Sequence, residues 1–412
     1  MAPAVRAAIL SPVLPSVAPD RRADVIRILY PDSLVIGGSE RQLLLLAEHL
    51  PRDRFEVSFV LPGPWTTNAD LAAAVGARVT ALGAGSRRST PMPIYAARVA
   101  RQVLEYIRIC RRERFDIVDA WLYLSYGLAA LTRPVARVPI LINGRRSLSD
   151  FKETFGPVER AIDALARRQS DAIVANASAI ADDVARREGI ARDRIRVIRN
   201  GVKVAPALAD RERARLREEW RAGPDDVIIG CVGAIKPAKG QTRLLELLPH
   251  IIATIPTARL VLIGGGPQQQ AVEMRAAAMG LADRVTLTGD VPDARPLYGA
   301  FDVLVSASLT EGLPNAVLEA AAAGIGIVAT DAGGTGEIVA DGVHGLLVPV
   351  SDDERLGEGV IRLAGDPELR RRLGAAARHR ATTEFSIERF VTETAALYET
   401  LVARRPAPRS RR

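Results

Sequence analysis

Short apolar runs alternate along the chain with longer segments in which apolar residues recur every three or four positions. Continuous apolar runs are typical of strands buried in a parallel sheet, and the longer spacing is typical of amphipathic helices. Both halves of the chain show this alternation, which predicts an α/β protein with two Rossmann-like, doubly wound parallel-sheet domains. The predicted strands are residues 25–30, 56–61, 78–81, 117–120, 139–142 and 172–175 in the first half, and 227–232, 259–263, 284–287, 302–306, 326–329 and 345–348 in the second.

A turn-rich, charged stretch separates the two halves. Residues 200–226 contain Asn200-Gly201, Pro206 and a charged helix at 211–221, so we predict a hinge there. We assign residues 25–203 to an N-terminal domain and 204–385 to a C-terminal domain, with a last helix at 386–403. The proline-interrupted residues 1–24 and the basic tail 404–412 are predicted to be disordered.

The length and the two cysteines limit what the protein can be. A chain of 412 residues exceeds one ordinary core, in agreement with two domains. Cys110 and Cys231 lie in apolar segments, so we expect packed thiols in a reducing, cytoplasmic compartment rather than a disulfide framework. The sequence has no continuous apolar run of the roughly 20 residues needed to span a membrane.

The positive charge is concentrated in the first half. Residues 1–200 carry 30 Lys and Arg against 21 Asp and Glu, and residues 87–146 hold 12 Arg against four acidic residues. Such a surface suits an anionic membrane, at the inner face of the cell membrane, or a pyrophosphate-linked acceptor. The excess of positive charge is equally explained by a compositional bias towards arginine, since the chain has 52 Arg and only 4 Lys. Nucleic acid is an unsuitable partner, because no aromatic residues are interleaved with the charges.

Two carboxylates, Glu311 and Glu319, bracket the transition from a predicted strand to a predicted helix. Residues 308–313 form the predicted loop, and Pro314 is the predicted first helical residue. Glu311 then lies at the carboxyl end of a strand, where open α/β sheets bind ligands. The amides of the first helical turn suit a diphosphate, and Glu319 could accept hydrogen bonds from two ribose hydroxyls.

Glycine-rich loops follow other predicted strands. Gly37-Gly38 comes after the first strand, where two glycines let a ligand approach the backbone, and Ser39 to Gln42 fits a capping box. Lys239-Gly240 follows the strand at 227–232, and a lysine is rare in this chain. A cation at that position could stabilise negative charge growing on a leaving diphosphate.

The segment Glu-Gly-Leu-Pro-Asn-Ala-Val-Leu-Glu at 311–319 resembles the EX7E signature of glycosyltransferase family 4, the retaining enzymes with the GT-B fold. The resemblance extends over residues 25–402. It implies two domains facing a cleft, a final helix that returns to the first domain, and transfer of a hexose-type sugar from a UDP-sugar or GDP-sugar to a glycan or lipid-linked acceptor in cell-envelope or exopolysaccharide biosynthesis. No cofactor is implied. The chain has neither Asp-x-Asp nor a His/Cys cluster with ligand spacing, so we predict no metal site.

The resemblance also implies roles for single residues. Glu311 would contact the sugar and Lys239 the diphosphate, and these two are the predicted catalytic residues. Glu337 resembles a structural residue that opens a helix. The predicted donor-binding residues are Gly37, Gly38, Lys236, Gly265, Val291, Leu313, Pro314, Asn315, Ala316 and Glu319.

Two departures from the family pattern concern the cleft. Ala234 stands where most members have an arginine, and Lys236 could reach the same phosphate without the bidentate geometry of arginine. The first-domain histidine is absent between residues 116 and 126, where Asp119 or Trp121 could face the sugar. The predicted acceptor-side residues are Trp121, Arg145 and Arg146, although a solvated basic loop explains the two arginines as well.

Two other functions fit the same sequence. A nucleotide-sugar epimerase of similar architecture would turn over donor without an acceptor. A non-catalytic nucleotide-sugar-binding protein would agree with Ala234 and with the missing histidine. Turnover of the donor by the purified protein separates these possibilities.

Overall fold

Parallel strands in two sheets form the frame of the protein. The structure is a computed structural model, and it describes residues 25–32, 34, 37–63, 66–83, 91–204 and 206–405. The strands in these residues are β1 (Ile26–Tyr30), β2 (Phe55–Leu61), β3 (Arg78–Ala81), β4 (Ile117–Ala120), β5 (Ile140–Arg145), β6 (Ala172–Ala175), β7 (Ile195–Val197), β8 (Val227–Val232), β9 (Ala258–Ile263), β10 (Val285–Leu287), β11 (Val303–Ser306), β12 (Gly326–Thr330) and β13 (Leu346–Val348). The seven-stranded sheet has the order β3-β2-β1-β4-β5-β6-β7, and the six-stranded sheet has the order β10-β9-β8-β11-β12-β13. All of these pairings are parallel, which confirms the predicted fold class.

Helices cover both faces of each sheet. They are α1 (Gly38–His49), α2 (Thr67–Ala74), α3 (Met92–Glu113), α4 (Tyr123–Ala136), α5 (Pro157–Gln169), α6 (Ser178–Glu188), α7 (Asp210–Glu219), α8 (Gln241–Thr254), α9 (Gln269–Ala278), α10 (Asn315–Ala323), α11 (Thr335–Ile338), α12 (Asp353–Gly365), α13 (Pro367–Glu384) and α14 (Ile387–Ala403). Neighbouring residues of β1 belong to different cores, Ile28 to the one containing α1 and α14, and Leu29 to the one containing α3 and α4. Burial on both faces explains why these strands read as continuous apolar runs.

The strand order reverses at one place in each sheet, between β1 and β4 in the first and between β8 and β11 in the second. Ligands of open α/β sheets bind beyond the carboxyl ends of the strands at such switch points. The loops from these ends lie against one another. Gly38, after β1, accepts a hydrogen bond from Asn315, after β11, with a donor to acceptor distance of 2.8 Å.

The linker between the sheets is shorter than the predicted hinge at 200–226. Arg217 in α7 forms an ion pair with Asp302 at 3.1 Å, and Trp220 stacks on Phe301 with ring centroids 5.5 Å apart. Helix α7 therefore packs on the second domain, because the partners of Arg217 and Trp220 are Phe301 and Asp302, the two residues that precede β11.

Helix α14 crosses back and packs on the first domain. Ile387, Phe390 and Tyr398 lie in the same core as β1 and α1. The Tyr398 and Tyr30 hydroxyls are 2.8 Å apart, and Tyr398 also donates to Asp119 Oδ2 at 2.6 Å. The predictions for residues 1–24 and for 406–412 lie outside the described residues, and Arg404 and Arg405 follow directly on α14.

Candidate active site

Lys239 and Glu311 meet at the switch point of the second sheet. Lys239 ends the short 3-10 turn Pro237–Lys239 after β8, and Glu311 lies in the loop after β11. Lys239 Nζ donates to Glu311 Oε1 at 2.6 Å, and Ser308 Oγ donates to the same oxygen at 2.7 Å. The Lys239 side chain is 25% exposed and that of Glu311 is 10% exposed, so the pair is partly open to a ligand.

Contacts to backbone carbonyls fix the positions of these two loops. Gly240 has a φ of +70° and lies directly against the Ala307 carbonyl, a position that leaves no room for a side chain. Gln241 Nε2 donates to the Ala234 carbonyl at 3.0 Å, and Thr330 Oγ1 donates to the Ser308 carbonyl at 2.6 Å. The sequence therefore positions the ion pair through a glycine and two buried polar side chains.

The N-terminus of α10 lies directly after this loop. Pro314 has a ψ of 111° and is the N-cap, so it precedes the helix rather than beginning it as predicted. Within the described residues, no side chain caps the amides at this N-terminus. The amides of Asn315 and Ala316 thus combine partial positive charge with a free hydrogen-bonding direction. Leu313 and Pro314 are buried, and they fix the entry of the chain into the helix.

Glu319 lies one turn further along α10, and its side chain is 13% exposed. Tyr298 donates its hydroxyl to Glu319 Oε2 at 2.9 Å, and Arg41 Nη1 of the first domain lies 3.9 Å from Oε1. Burial raises the pKa of the Glu319 carboxyl, and the neighbouring Arg41 charge and the Tyr298 hydrogen bond partly offset that rise. Neither Tyr298 nor Arg41 was predicted from the sequence.

The remaining donor-side residues of the second domain lie on loops at the same edge. Gly265 donates its amide to Asp290 Oδ1 at 2.8 Å, and Val291 is half-buried against the core of the second domain. Lys236 is exposed at the start of the turn that carries Lys239. Ala234 is also exposed, so the position of the family arginine faces solvent.

The first domain contributes the N-terminus of α1. Gly37 is the N-cap and Gly38 the first helical residue, so Ser39 lies inside the helix and the predicted capping box is wrong. The two glycines allow α1 to approach the second domain, because a Cβ on Gly38 would lie 2.9 Å from Asn315 Nδ2.

Trp121 and Arg145 do not face the cleft, which corrects their prediction as acceptor-side residues. Trp121 is 2% exposed and packs edge-on against Tyr30. Strand β5 continues to Arg145, three residues beyond its predicted end, and so directs that side chain into the domain. There Arg145 Nη2 pairs with Glu188 Oε2 at 3.0 Å. Burial opposes the charge of Arg145, but its acidic neighbours hold the pKa above the ordinary value.

Arg146 lies at the boundary between the domains. Its guanidinium stacks on Trp121, with Cζ 3.2 Å from the ring centroid. Its buried Nε and Nη1 atoms have no hydrogen-bond partner in the part of the chain that the structure describes. Burial lowers the pKa of Arg146 to about 10, although nearby Asp119 opposes the shift. The backbone carbonyl of Arg146 lies against Gly312, so the loop that carries Glu311 touches the first domain here.

Acidic residues fill the switch point of the first sheet. Asp119 is 4% exposed and bonded to Tyr398, so it does not occupy a sugar-facing position. The Asp32 carboxylate accepts hydrogen bonds from the backbone amides of Trp121 and Leu122, both at 3.1 Å. Burial raises the pKa of Asp32 from 3.8 to about 7. Asp32 follows the first predicted strand directly, and that position is the signal by which it could have been found.

Glu337 connects the two domains. Its Oε1 accepts the amide of Ala179 at the start of α6 at 3.0 Å, and its Oε2 pairs with Arg199 at 2.8 Å. The carboxylate lies in the first turn of α11, as expected, but its hydrogen bonds go to a helix of the first domain. Among the residues that the structure describes, no cluster of three or more His, Cys, Asp and Glu side chains could hold a metal ion. None of the helices described is both long and apolar enough to cross a bilayer.

Two family models match consecutive parts of the chain. Residues 36–205 match the model described as Glycosyltransferase Family 4, and residues 212–380 match the model described as Glycosyl transferases group 1. The chain belongs to glycosyltransferase family 4. The first match covers β2 to β7 and the second covers β8 to β13, so the family identification rests on both domains.

Curated relatives of this chain are glycosyltransferases by name. It is 33% identical over 204 residues to the GDP-mannose-dependent alpha-(1-6)-phosphatidylinositol monomannoside mannosyltransferase of Mycolicibacterium smegmatis, a match that covers 47% of this chain and 52% of that protein. It is 28% identical to the lipopolysaccharide core biosynthesis glycosyltransferase LpsE of Rhizobium meliloti, over 69% of this chain and 76% of that one. The chain thus spans about half the length of the first relative.

Solved structures show the same fold. The complex of Anabaena HepE with UDP-glucose has a TM-score of 0.79 and 21% identity, over 91% of this chain and 100% of that one. WaaG, a glycosyltransferase involved in lipopolysaccharide biosynthesis, has a TM-score of 0.70 and 16% identity, over 91% and 99% of the two chains. With the two parallel sheets, these similarities establish the GT-B fold of the glycosyltransferase.

Proposed function

We propose that this glycosyltransferase moves a hexose-type sugar from a nucleoside diphosphate to a glycan or lipid-linked acceptor, with retention of the anomeric configuration, in cell-envelope or exopolysaccharide biosynthesis. The observation that carries the proposal is the 2.6 Å pair of Lys239 and Glu311 beside the uncapped N-terminus of α10. This arrangement brings a cation, free amides and a carboxylate to one switch point, which suits a sugar diphosphate.

The diphosphate lies between Lys239 and the first turn of α10 in this proposal. A lysine ammonium has three N–H groups, so Lys239 can hold Glu311 and a phosphate oxygen together. When the bond between the sugar and the phosphate breaks, the electron pair goes to the phosphate oxygen. Lys239 and the amides of Asn315 and Ala316 stabilise that charge without moving. No metal ion or cofactor is required for this step.

Glu311 and Glu319 divide the rest of the donor between them. Glu311 accepts hydrogen bonds from the hydroxyls of the sugar, and it is held in place by Ser308. Glu319 accepts from the ribose, and the loops of Gly265 and Val291 receive the base. The acceptor hydroxyl loses its proton to the departing phosphate oxygen on the same face of the sugar, so no protein nucleophile is needed.

The proposed donor is a UDP-hexose or a GDP-hexose. The M. smegmatis relative is named as GDP-mannose-dependent, and the HepE structure holds UDP-glucose. A nucleoside diphosphate hexose is common to both. Lys239, the first amides of α10 and Glu319 would recognise the diphosphate and the ribose, which UDP-hexoses and GDP-hexoses share.

We also propose that the first domain docks on an anionic membrane surface through α3, at the inner face of the cell membrane. Its first turns are exposed and carry Met92, Ile94 and Val99 together with Arg101. No acidic residue occurs between residues 92 and 104. Apolar side chains flanked by arginine suit the boundary between lipid headgroups and acyl chains. Arg87 and Arg88, at the start of the basic stretch 87–146, lie outside the described residues.

Turnover of defined donors tests the proposed activity. The purified protein is incubated with UDP-hexoses and GDP-hexoses, with and without lipid-linked and glycan acceptors, in the presence of excess chelator. Proton NMR of the first product should show the anomeric configuration of the donor. An inverted product, or activity that chelator abolishes and magnesium restores, would contradict the proposal. Epimerised donor without acceptor would indicate an epimerase, and binding without turnover a non-catalytic protein.

A further inference from the structure

The side chain of Asn315 joins three segments of the chain. Its Nδ2 donates to the Gly38 carbonyl at 2.8 Å, and its Oδ1 accepts from Asn200 Nδ2 at 2.8 Å and from Gln42 Nε2 at 3.2 Å. Gly38 and Gln42 belong to α1 of the first domain, and Asn200 begins the linker. The first residue of α10 therefore bonds to the opposite domain and to the linker at the same time.

Gln42 extends this network to the linker backbone. Its Nε2 donates to the Gly201 carbonyl at 2.9 Å, and its Oε1 accepts the Gly201 amide at 3.0 Å. Gln42 and Asn200 are each 4% exposed. Removal of one member leaves the buried side chains of Gln42 and Asn200 with fewer hydrogen bonds, and this cost in free energy favours the observed geometry.

The network fixes two helix N-termini against each other. Neither N-cap residue, Gly37 of α1 or Pro314 of α10, makes a side-chain capping hydrogen bond. Both ends border the space in which the diphosphate is proposed to lie. The distance between them depends on Asn315 on one side and on the absence of a side chain at Gly38 on the other.

We propose that Asn315 is a positioning residue that aligns the first domain with the donor site, so that sugar transfer depends on its side chain more than donor binding does. The inference rests on the proposed function. Lys239, Glu319 and the backbone amides of α10 remain in Asn315→Ala, so the variant retains the groups that bind nucleotide. Glu337 still contacts Ala179 and Arg199, so the domains remain associated.

The test compares Asn315→Ala with a matched control, Gln269→Ala. Gln269 also lies in the first turn of a second-domain helix, but among the described residues its side chain bonds only within that helix, to Glu273 at 3.0 Å. For Asn315→Ala we expect kcat to fall about tenfold or more, as misalignment of reacting groups does. We expect the Kd for UDP or GDP to change by less than about threefold, because the substitution keeps the backbone amide of residue 315 that faces the diphosphate. The ratio of donor hydrolysis to transfer should rise, because poorer closure admits water.

A double-mutant cycle with Gln42→Ala identifies the network itself. The two kcat losses should be non-additive, because both variants break one connected set of hydrogen bonds. Hydrogen exchange at the start of α1 should rise in Asn315→Ala, and this readout needs no catalysis. Equal losses of kcat and nucleotide affinity, or a lower Tm with unchanged kcat, would overturn the inference. If the wild type transfers no sugar, the proposed function fails, whereas unchanged exchange in α1 rejects the network alone.

Discussion

The switch points of the two sheets occupy the same topological position, but their contents differ. In the second sheet, Lys239 and Glu311 are partly exposed beside a helix N-terminus that no described side chain caps. In the first sheet, Asp32, Trp121 and Asp119 fill the position and are buried. Topology therefore indicates where a ligand site can form, and the side chains decide whether the site is open or filled by the protein itself.

The largest expected effect is at the open switch point. Lys239→Ala should lower kcat/KM by two or more orders of magnitude, the size expected when a preorganised charge is lost. Lys236→Ala is the matched control, because Lys236 is exposed on the same turn. It should reduce kcat/KM measurably but less, if Lys236 acts in place of the arginine missing at Ala234. Steady-state kinetics with saturating acceptor measure both, and equal values for Lys239→Ala and wild type would exclude a phosphate role for Lys239.

The second prediction separates the two glutamates. Glu311→Gln should depress kcat more than nucleotide affinity, and Glu319→Gln the reverse, because only Glu311 is placed to meet the reacting sugar. Burial raises the pKa of Glu319, so its carboxylate is lost at a higher pH than that of an exposed glutamate. Nucleotide affinity should fall as the pH drops through that range, and Glu319→Gln should remove the dependence. Calorimetric titration at several pH values checks this, and the same profile in both proteins would contradict it.

The third prediction concerns the filled switch point and is about stability. Asp32 has a pKa of about 7 in the folded protein and 3.8 as its ordinary value. Between those two values the folded state binds the proton more tightly than the unfolded state. The free energy of unfolding should therefore decrease as the pH rises through this window, and remain reduced above it.

Asp32→Asn removes the titrating group but keeps an oxygen for the amides of Trp121 and Leu122. Urea unfolding at pH 5 and pH 8 should show a smaller loss of stability for the variant than for wild type. Asp225→Asn, at an exposed aspartate, serves as the control and should follow wild type. The same pH dependence in Asp32→Asn and wild type would show that Asp32 is ionised in the folded protein.

The smallest expected effect lies outside both switch points, on α3. Arg101→Glu should weaken sedimentation with acidic liposomes by several-fold, since each basic residue near an anionic surface contributes about 1 kcal/mol. Arg372→Glu, at an exposed position of α13 in the second domain, is the control. Binding should also weaken at high salt. Binding that is absent at low salt, or that ignores lipid charge, would show that the basic excess only reflects composition.

The sequence predicts the two sheets well, because strands buried on both faces appear as continuous apolar runs. The bounds of β3, β4, β6 and β8 match the predictions. Strand β7 was missed because it is three residues long and includes the exposed Arg196. The prediction ended β5 at residue 142 and left Arg145 in a loop, whereas Arg145 is the last residue of the strand and its side chain is buried.

The placement of Lys239 and Glu311 at one edge of the sheet follows from local signals, since both lie in loops after strands that are neighbours in the sheet. The contacts of Arg41, Gln42 and Asn200 could not be predicted in this way. They depend on how one domain lies against the other, and no periodicity within either domain encodes that relation. The burial of side chains at the first switch point could not be predicted either. The sequence around Trp121 and Asp119 is compatible with side chains that face a ligand and with side chains that face a core.

The return of α14 to the first domain has a consequence for protein engineering. Donor preference could be exchanged between family members by grafting one second domain onto another first domain. With a single junction in the linker, α14 would come from the protein that supplies the second domain. Its Tyr398 would then have to pack against Tyr30 and Asp119 of the protein that supplies the first domain. A workable chimera needs a second junction near Ser386, so that the last helix comes from the same parent as the first domain.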